Sequence, residues 1–199
     1  MDDIVAAALV KWPNVPHCHG WLALDARGDW YLRDDRAQAA GAFPASKGSR
    51  LEHVGLREFI ERNYACDERG AWFFQNGPQR VYVELQAAPW VWRLHRTAGG
   101  ADTQSTEVVL RSHSGRPAEF GSAWLDELGR LFIATDLGLG LVHTLDMEAA
   151  ADAVEQGLWQ VGDVQSADLP SRFGFRPSPA ADAARAASAA GPGRRGQLP

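Results

Sequence analysis

Apolar residues along this chain alternate more often than they recur at helical intervals. In WLALDARGDWYL, residues 21–32, Leu22 and Leu24 flank Ala23, and a polar turn follows. Alternation sends successive side chains to opposite faces, so the stretch predicts strand, tight turn, strand. Asp25 can accept from the amides of the turn, and Gly28 can take the left-handed conformation of a type I turn with a bulge. The same spacing returns at Asp67 to Gly70 and at Asp126 to Gly129. Val81, Val83 and Leu85 alternate as a strand, and residues 90–94 predict one more short strand. Residues 107–120 read as two strands about a turn at Ser112 to Gly115, and residues 140–146 as another strand. Gly138 to Gly140 read as a loop, because they lack G-x-G-x-x-G and the Walker lysine.

Helical spacing is confined to three places. Asp2 or Asp3 can cap a short helix through Val10, stopped by Pro13. Leu51, Val54, Phe59 and Ile60 share one face of a helix ending near Asn63. Asp146 can cap a helix over residues 147–156 that ends at Gly157. Residues 33–50 are polar and rich in Ala, Gly and Ser, which predicts a loop, and residues 97–105 form a soft linker. From Pro170 the chain is Pro, Gly and Ala with little to bury, which predicts a disordered tail with transient helix near Ala180 to Ala190.

The two halves align. DERGAWFF sits over DELGRLFI and, after a one-residue insertion, VYVEL over LVHTL. Two units are too few for a solenoid. The expected fold is α+β: two small, duplicated subdomains of meandering antiparallel strands with a helix each, at residues 1–96 and 106–168, then a tail over 170–199.

Composition bounds the function. A chain of 199 residues, 45% hydrophobic, can bury a real core. Its net charge is -5 and its cations are scattered among acids, which argues against a nucleic-acid partner. Two cysteines, Cys18 and Cys66, cannot make a disulfide framework. The first residues are acidic, unlike a secretory signal, and no apolar stretch approaches the roughly 20 residues a bilayer needs. These features predict a cytoplasmic bacterial protein without a membrane partner.

Three groups of residues are candidates for chemistry. His17 and His19 flank Cys18, and on an extended strand they share a face, so both imidazoles could hold one ion. Structural zinc wants four ligands and catalytic zinc three plus water, so the alternative is a surface or half-buried pair beside Pro16. Gln75, Asn76 and Arg80 place two amides and a guanidinium on a turn, where Arg80 could pair with a ligand carboxylate or phosphate. The alternative is ordinary turn chemistry at Asn76 and Gly77, with Arg80 paired to an acid such as Glu84. Trp90 and Trp92 share one face of a strand; they would line a groove or interface if that strand were an edge, and would be core otherwise. Neither G-x-S-x-G nor H-E-x-x-H appears, and Asp34-Asp35 and Asp67-Glu68 read as solvated acids. No cofactor is implied. The expected function is a non-catalytic module binding a small ligand or a protein. The alternatives are a metal protein or enzyme centred on His17 and His19, and a scaffold using Trp90 and Trp92.

KWPNVPHCHGWLALDARGDW, LREFIERNY and DERGAWFFQNGPQRVYVELQAAPWV resemble an uncharacterised proteobacterial family, the domain of unknown function DUF2946. The chain is also distantly similar to DUF1285, whose members share a C-x-(x)-G-x-L-x-L-x-x-x-G-x-W opening and a strand ending in x-x-A-P-F-V. Cys18, Gly28, Trp30, Ala88, Pro89 and Trp90 stand at matching positions, and His19 is an extra residue beside the cysteine. This resemblance implies two related α+β subdomains and a role in signalling or ligand sensing. It carries no catalytic residue onto the chain.

Overall fold

Four turns of one design set the course of the chain. Asp25 Oδ1 accepts from the amides of Arg27 and Asp29 at 2.8 and 3.0 Å. Asp67 Oδ1 does the same for Arg69 and Ala71, and Asp126 Oδ1 for Leu128 and Arg130. In the fourth turn the Ser112 hydroxyl accepts from Arg116. The glycine three residues on has φ of +83° at Gly28, +82° at Gly70, +78° at Gly115 and +71° at Gly129. An oxygen satisfies amides the hairpin leaves open, and glycine enters a region that side chains resist.

The turns differ in what lies behind the glycine. A Cβ on Gly70 would stand 2.1 Å from the Gly174 carbonyl oxygen, whereas nothing lies within 4 Å of one on Gly129. Gly129→Ala should therefore cost only the left-handed backbone, about 1–2 kcal/mol. Gly70→Ala must also push back the 174–175 backbone and should cost about 3 kcal/mol or more. Urea denaturation of the two variants measures the difference; equal losses would show that the contact with Gly174 contributes nothing.

The computed structural model describes residues 2–11, 15–98 and 106–189. After helix α1 (Asp3–Lys11), the first sheet is built from β1 (Cys18–Leu24), β2 (Trp30–Leu32), β3 (Ser49–Arg50), β4 (Tyr64–Cys66), β5 (Trp72–Asn76) and β6 (Gln79–Leu85), in the order β3-β2-β1-β6-β5-β4. The second uses β7 (Trp90–Ala98), β8 (Thr106–Ser112), β9 (Pro117–Ala118), β10 (Phe120–Asp126), β11 (Leu131–Thr135), β12 (Gly138–Val142) and β13 (Val161–Val164), in the order β13-β10-β11-β12-β7-β8-β9. The fold is α+β, but the sheets are not pure antiparallel meanders. β1 runs parallel to β6, and β7 parallel to β12. Through six strands the two sheets follow the same succession of pairings in the same sense, and β13 adds a parallel edge to β10. Among the described residues no helix is long and apolar enough to cross a membrane.

Several local expectations change. Residues 33–50 are not all loop: Asp34 accepts from Ala37 and caps α2 (Asp35–Ala40), and β3 follows. The predicted helix in the fifties is α3 (Val54–Arg62), capped by the His53 ring. Asp146 does not cap α4 (Met147–Glu155) with its side chain. Its carboxylate instead accepts from Arg93 Nε at 2.5 Å and from the Leu94 amide at 3.2 Å, tying β7 to the α4 end. Gly138 and Gly140 belong to β12 rather than to a loop, and a Cβ on Gly140 would stand 2.3 Å from Trp92 Nε1. Glycine is there so that a strand can lie against an indole.

β7 joins the second sheet, so the sheets change over at residues 86–89 and not at 96. It lies between β12, which pairs with residues 90–92, and β8, which pairs with residues 92–98. That corrects the reading of Trp90 and Trp92 as a groove: they are 1% and 0% exposed, and their indoles donate to the carbonyls of Leu137 and Ile133. One core spans both sheets, with Leu24, Trp30 and Val83 from the first meeting Trp92, Phe132 and Ile133 from the second. The expected tail also divides. Residues 169–189 form α5 (Leu169–Phe173) and α6 (Pro179–Ala189), with Leu169, Phe175 and Pro179 buried. Residues 190–199 of that expectation, and 99–105 of the expected linker, lie outside the described residues.

Candidate functional site

The cleft under α6 begins with the alternation of β6. Val83 and Leu85 enter the main core, which leaves Tyr82 and Glu84 on the outer face of the first sheet. Glu84 is 5% exposed, yet it is not a free acid. It accepts from the Ala180 amide at 3.0 Å and from the Ser178 hydroxyl, which itself accepts from Ala181. Burial raises its pKa, against the pull of Ser178, Ala180 and the Arg33 charge. A carboxylate is well placed at the amides of a helix start. Glu84 therefore docks α6 and does not pair with Arg80, as one reading of the turn had it. Leu85 N donates to Pro177 O and Arg176 N to Gly70 O, which holds the entering strap.

Tyr82 is the centre of a ring cluster. His19 lies flat on it at 4.6 Å and 8°, and His17 meets it edge-on at 5.8 Å and 76°. The Tyr82 hydroxyl donates to Asp67 Oδ2 at 3.0 Å. Arg80 stacks on Phe73 at 4.5 Å, and Phe73 packs on Tyr82. His17 and His19 thus share a face, as their spacing predicts, and meet Tyr82 there. Among the described residues, no group of three or more His, Cys, Asp or Glu is arranged to hold a metal ion. Burial holds the His19 pKa down, and the neighbouring His17 adds to this.

Three arginines come to this side of the sheet but not to one hollow: Arg69 and Arg176 line the cleft under α6, while Arg80 borders a second hollow with Arg69, His17 and Tyr82. Arg69 comes from the β4–β5 turn, Arg80 from β6 and Arg176 from the strap before α6. Arg176 Nε donates to the Arg69 carbonyl at 3.2 Å. None of the three is in an ion pair among the described residues, while Asp182 on α6 is paired with Arg185. The cleft between the rings, Arg69, Arg176 and α6 measures about 390 Å³. Of the other turn residues, Gln75 is 1% exposed and donates to the carbonyls of Gly77 and Gln79 as an internal brace. Asn76 is exposed on that turn and lies outside the cleft. Sequence reasoning missed Arg69, Tyr82, Arg176 and Asp182. The outward phase of Tyr82 in an alternating strand was the one signal available.

A model of the family described as a protein of unknown function (DUF2946) matches residues 1–180. Among solved structures, a DUF1285 family protein from Silicibacter pomeroyi is 13% identical with a TM-score of 0.49, over 76% of this chain and 84% of that one. A second, from Shewanella baltica, is 12% identical with a TM-score of 0.45, over 66% of this chain and 91% of that one. No curated protein matches the chain.

Proposed function

We propose that this chain, which belongs to the DUF2946 family of proteins of unknown function, is a non-catalytic module that holds a small ligand in the cleft beneath α6. The observation that carries the reading is the convergence of His17, His19 and Tyr82 with the Arg69 and Arg176 guanidiniums, in no ion pair among the described residues, on one concave surface. A small set of polar groups beside rings is how ligand pockets fix orientation. The carboxylates there are spent on structure: Asp67 on its turn and Tyr82, Asp182 on Arg185. That favours binding over acid–base work. A sensing role in the cytoplasm fits such a module. The aligned halves and the shared succession of strand pairings support descent of both sheets from one duplicated unit. A second reading, a cation on His17 and His19, rests on their shared face.

Native mass spectrometry of untagged protein, with elemental analysis, tests both. The expected result is a retained small-molecule mass that is lost when Ala183→Trp fills the cleft. Retention of that mass by the variant would place the ligand elsewhere. Stoichiometric zinc lost on His17→Ala would put the metal reading first.

A further inference from the structure

The chemistry of the cleft narrows what it can hold. The chain is acidic overall, with 25 Asp and Glu against 20 Lys and Arg. Arg69 and Arg176, with no carboxylate partner among the described residues, nevertheless face one hollow. A guanidinium is a planar fork of donors that matches the oxygens of a phosphate, and two from different segments can take one between them. Arg69 and Arg176 are placed for this. They line both the ring-side cleft and an adjoining hollow of about 530 Å³, where the Ser171 and Ser178 hydroxyls already donate to the Asp168 carbonyl and to Glu84. Both residues are exposed, and the link between them uses a backbone carbonyl and one Nε, so their Nη groups are not consumed by it.

The rings add the second half. His19 is held by stacking and not by hydrogen bonding at its enclosed nitrogen, since Nδ1 has no partner. Flat groups pack on such rings at centroid separations of about 4.5–7 Å. Of the acids nearby, Asp182 is paired with Arg185, Asp67 turns its oxygens to its turn amides and the Tyr82 hydroxyl, and Glu68 is in no ion pair among the described residues.

Resting on the ligand-binding reading above, we infer that the ligand is a phosphorylated compound carrying a flat ring. Its phosphate lies between Arg69 and Arg176, and its ring lies against the cluster of His17, His19 and Tyr82.

The test uses the full chain and three probes: inorganic phosphate, phenyl phosphate and phenol, titrated by calorimetry and followed by amide shifts of Tyr82 and Ala183. Phenyl phosphate should bind about tenfold more tightly than phosphate, the increment expected of one ring stacked on aromatic side chains. Arg69→Gln and Arg176→Gln should each weaken it about tenfold or more, as loss of a charge-assisted contact does. Their melting without ligand reports whether they fold, and the comparison of probes on the unsubstituted chain stands if one does not. Equal affinity for phosphate and phenyl phosphate would overturn the inference, and so would binding insensitive to both arginines. Phenol binding in the cleft without any response to phosphate would sink the anion class and leave the ligand-binding reading standing. Silence from all three probes, with no retained mass in the native spectrum, would sink both.

Discussion

Arg33→Ala should destabilise the protein by about 3–5 kcal/mol, the cost typical of breaking a buried charged arrangement. Arg33 is 4% exposed and, among the described residues, is in no ion pair, though its charge is felt by Glu84. Its guanidinium is satisfied by three carbonyls instead: Nε donates to Ser46 at 3.1 Å, Nη1 to Gly20 at 3.2 Å and Nη2 to Gly41 at 2.6 Å. Those oxygens belong to β1 and to the two ends of the segment that follows α2. One side chain thus pins a stretch of mostly polar sequence, with little apolar surface of its own, to the first sheet. Removing it leaves three acceptors short of a donor, each worth about 1–3 kcal/mol if water cannot reach it. Arg33→Lys keeps the charge but replaces the planar fork by a single ammonium, which cannot span all three oxygens. It should recover less than half of the loss. Urea denaturation gives the stability, and hydrogen exchange over residues 34–48 gives its location. A loss under about 1 kcal/mol for Arg33→Ala would mean that water replaces the guanidinium there. Because Gly20 follows His19, the same variant should also loosen the ring cluster.

The second large effect is loss of stability in mild acid, centred on His113. This residue sits on the β8–β9 turn, where part of it meets solvent, but its ring is enclosed. Trp30 and Trp90 stand at 5.6 Å and Tyr64 at 6.3 Å. Nδ1 accepts from the Val91 amide, and Nε2 is buried without a partner. Enclosure, with Arg116 nearby, lowers the imidazole pKa to about 3. Unfolded, the ring would titrate near 6.5. Between those values the unfolded chain holds a proton that the folded chain refuses, so stability falls as pH falls, by about 1.4 kcal/mol per unit. The contribution is intact above the unfolded pKa and has declined by roughly 2.7 kcal/mol at pH 4.5. His113→Asn keeps an acceptor for Val91 and removes the titration. Denaturation midpoints of both proteins from pH 7 to 4.5 should diverge in slope, with the variant the flatter. Parallel slopes would show that another group governs acid sensitivity.

Much of the chain could be read locally. The Asp-x-x-Gly turns, the alternation of VYVEL and the helix ending at Asn63 depend on residues a few positions apart, whose backbone preferences are written into them. Even there, partners outside the segment redirected some side chains. Asp146, an apparent helix cap, answers Arg93 and the Leu94 amide across the fold. The candidate site was half legible. His17 and His19 do share a face, but Arg69 and Arg176 are 107 positions apart, and nothing local says that they meet.

The sequence by itself determined the alternating strands, the positions of the turns and the amphipathic helices, because each follows from short-range periodicity and from what Asp, Gly and Pro do to a backbone. Only the tertiary structure decided the rest. The parallel steps β1–β6 and β7–β12 require strands distant in the chain to find one another, and those pairings turned Trp90 and Trp92 from a possible edge into core. Residues 169–189 look like tail because they bury little by themselves. They are held because Glu84, more than ninety positions earlier, meets the amides at the start of α6. A carboxylate on an alternating strand shows no sign of which helix will come to it, and that long-range contact is what makes the cleft.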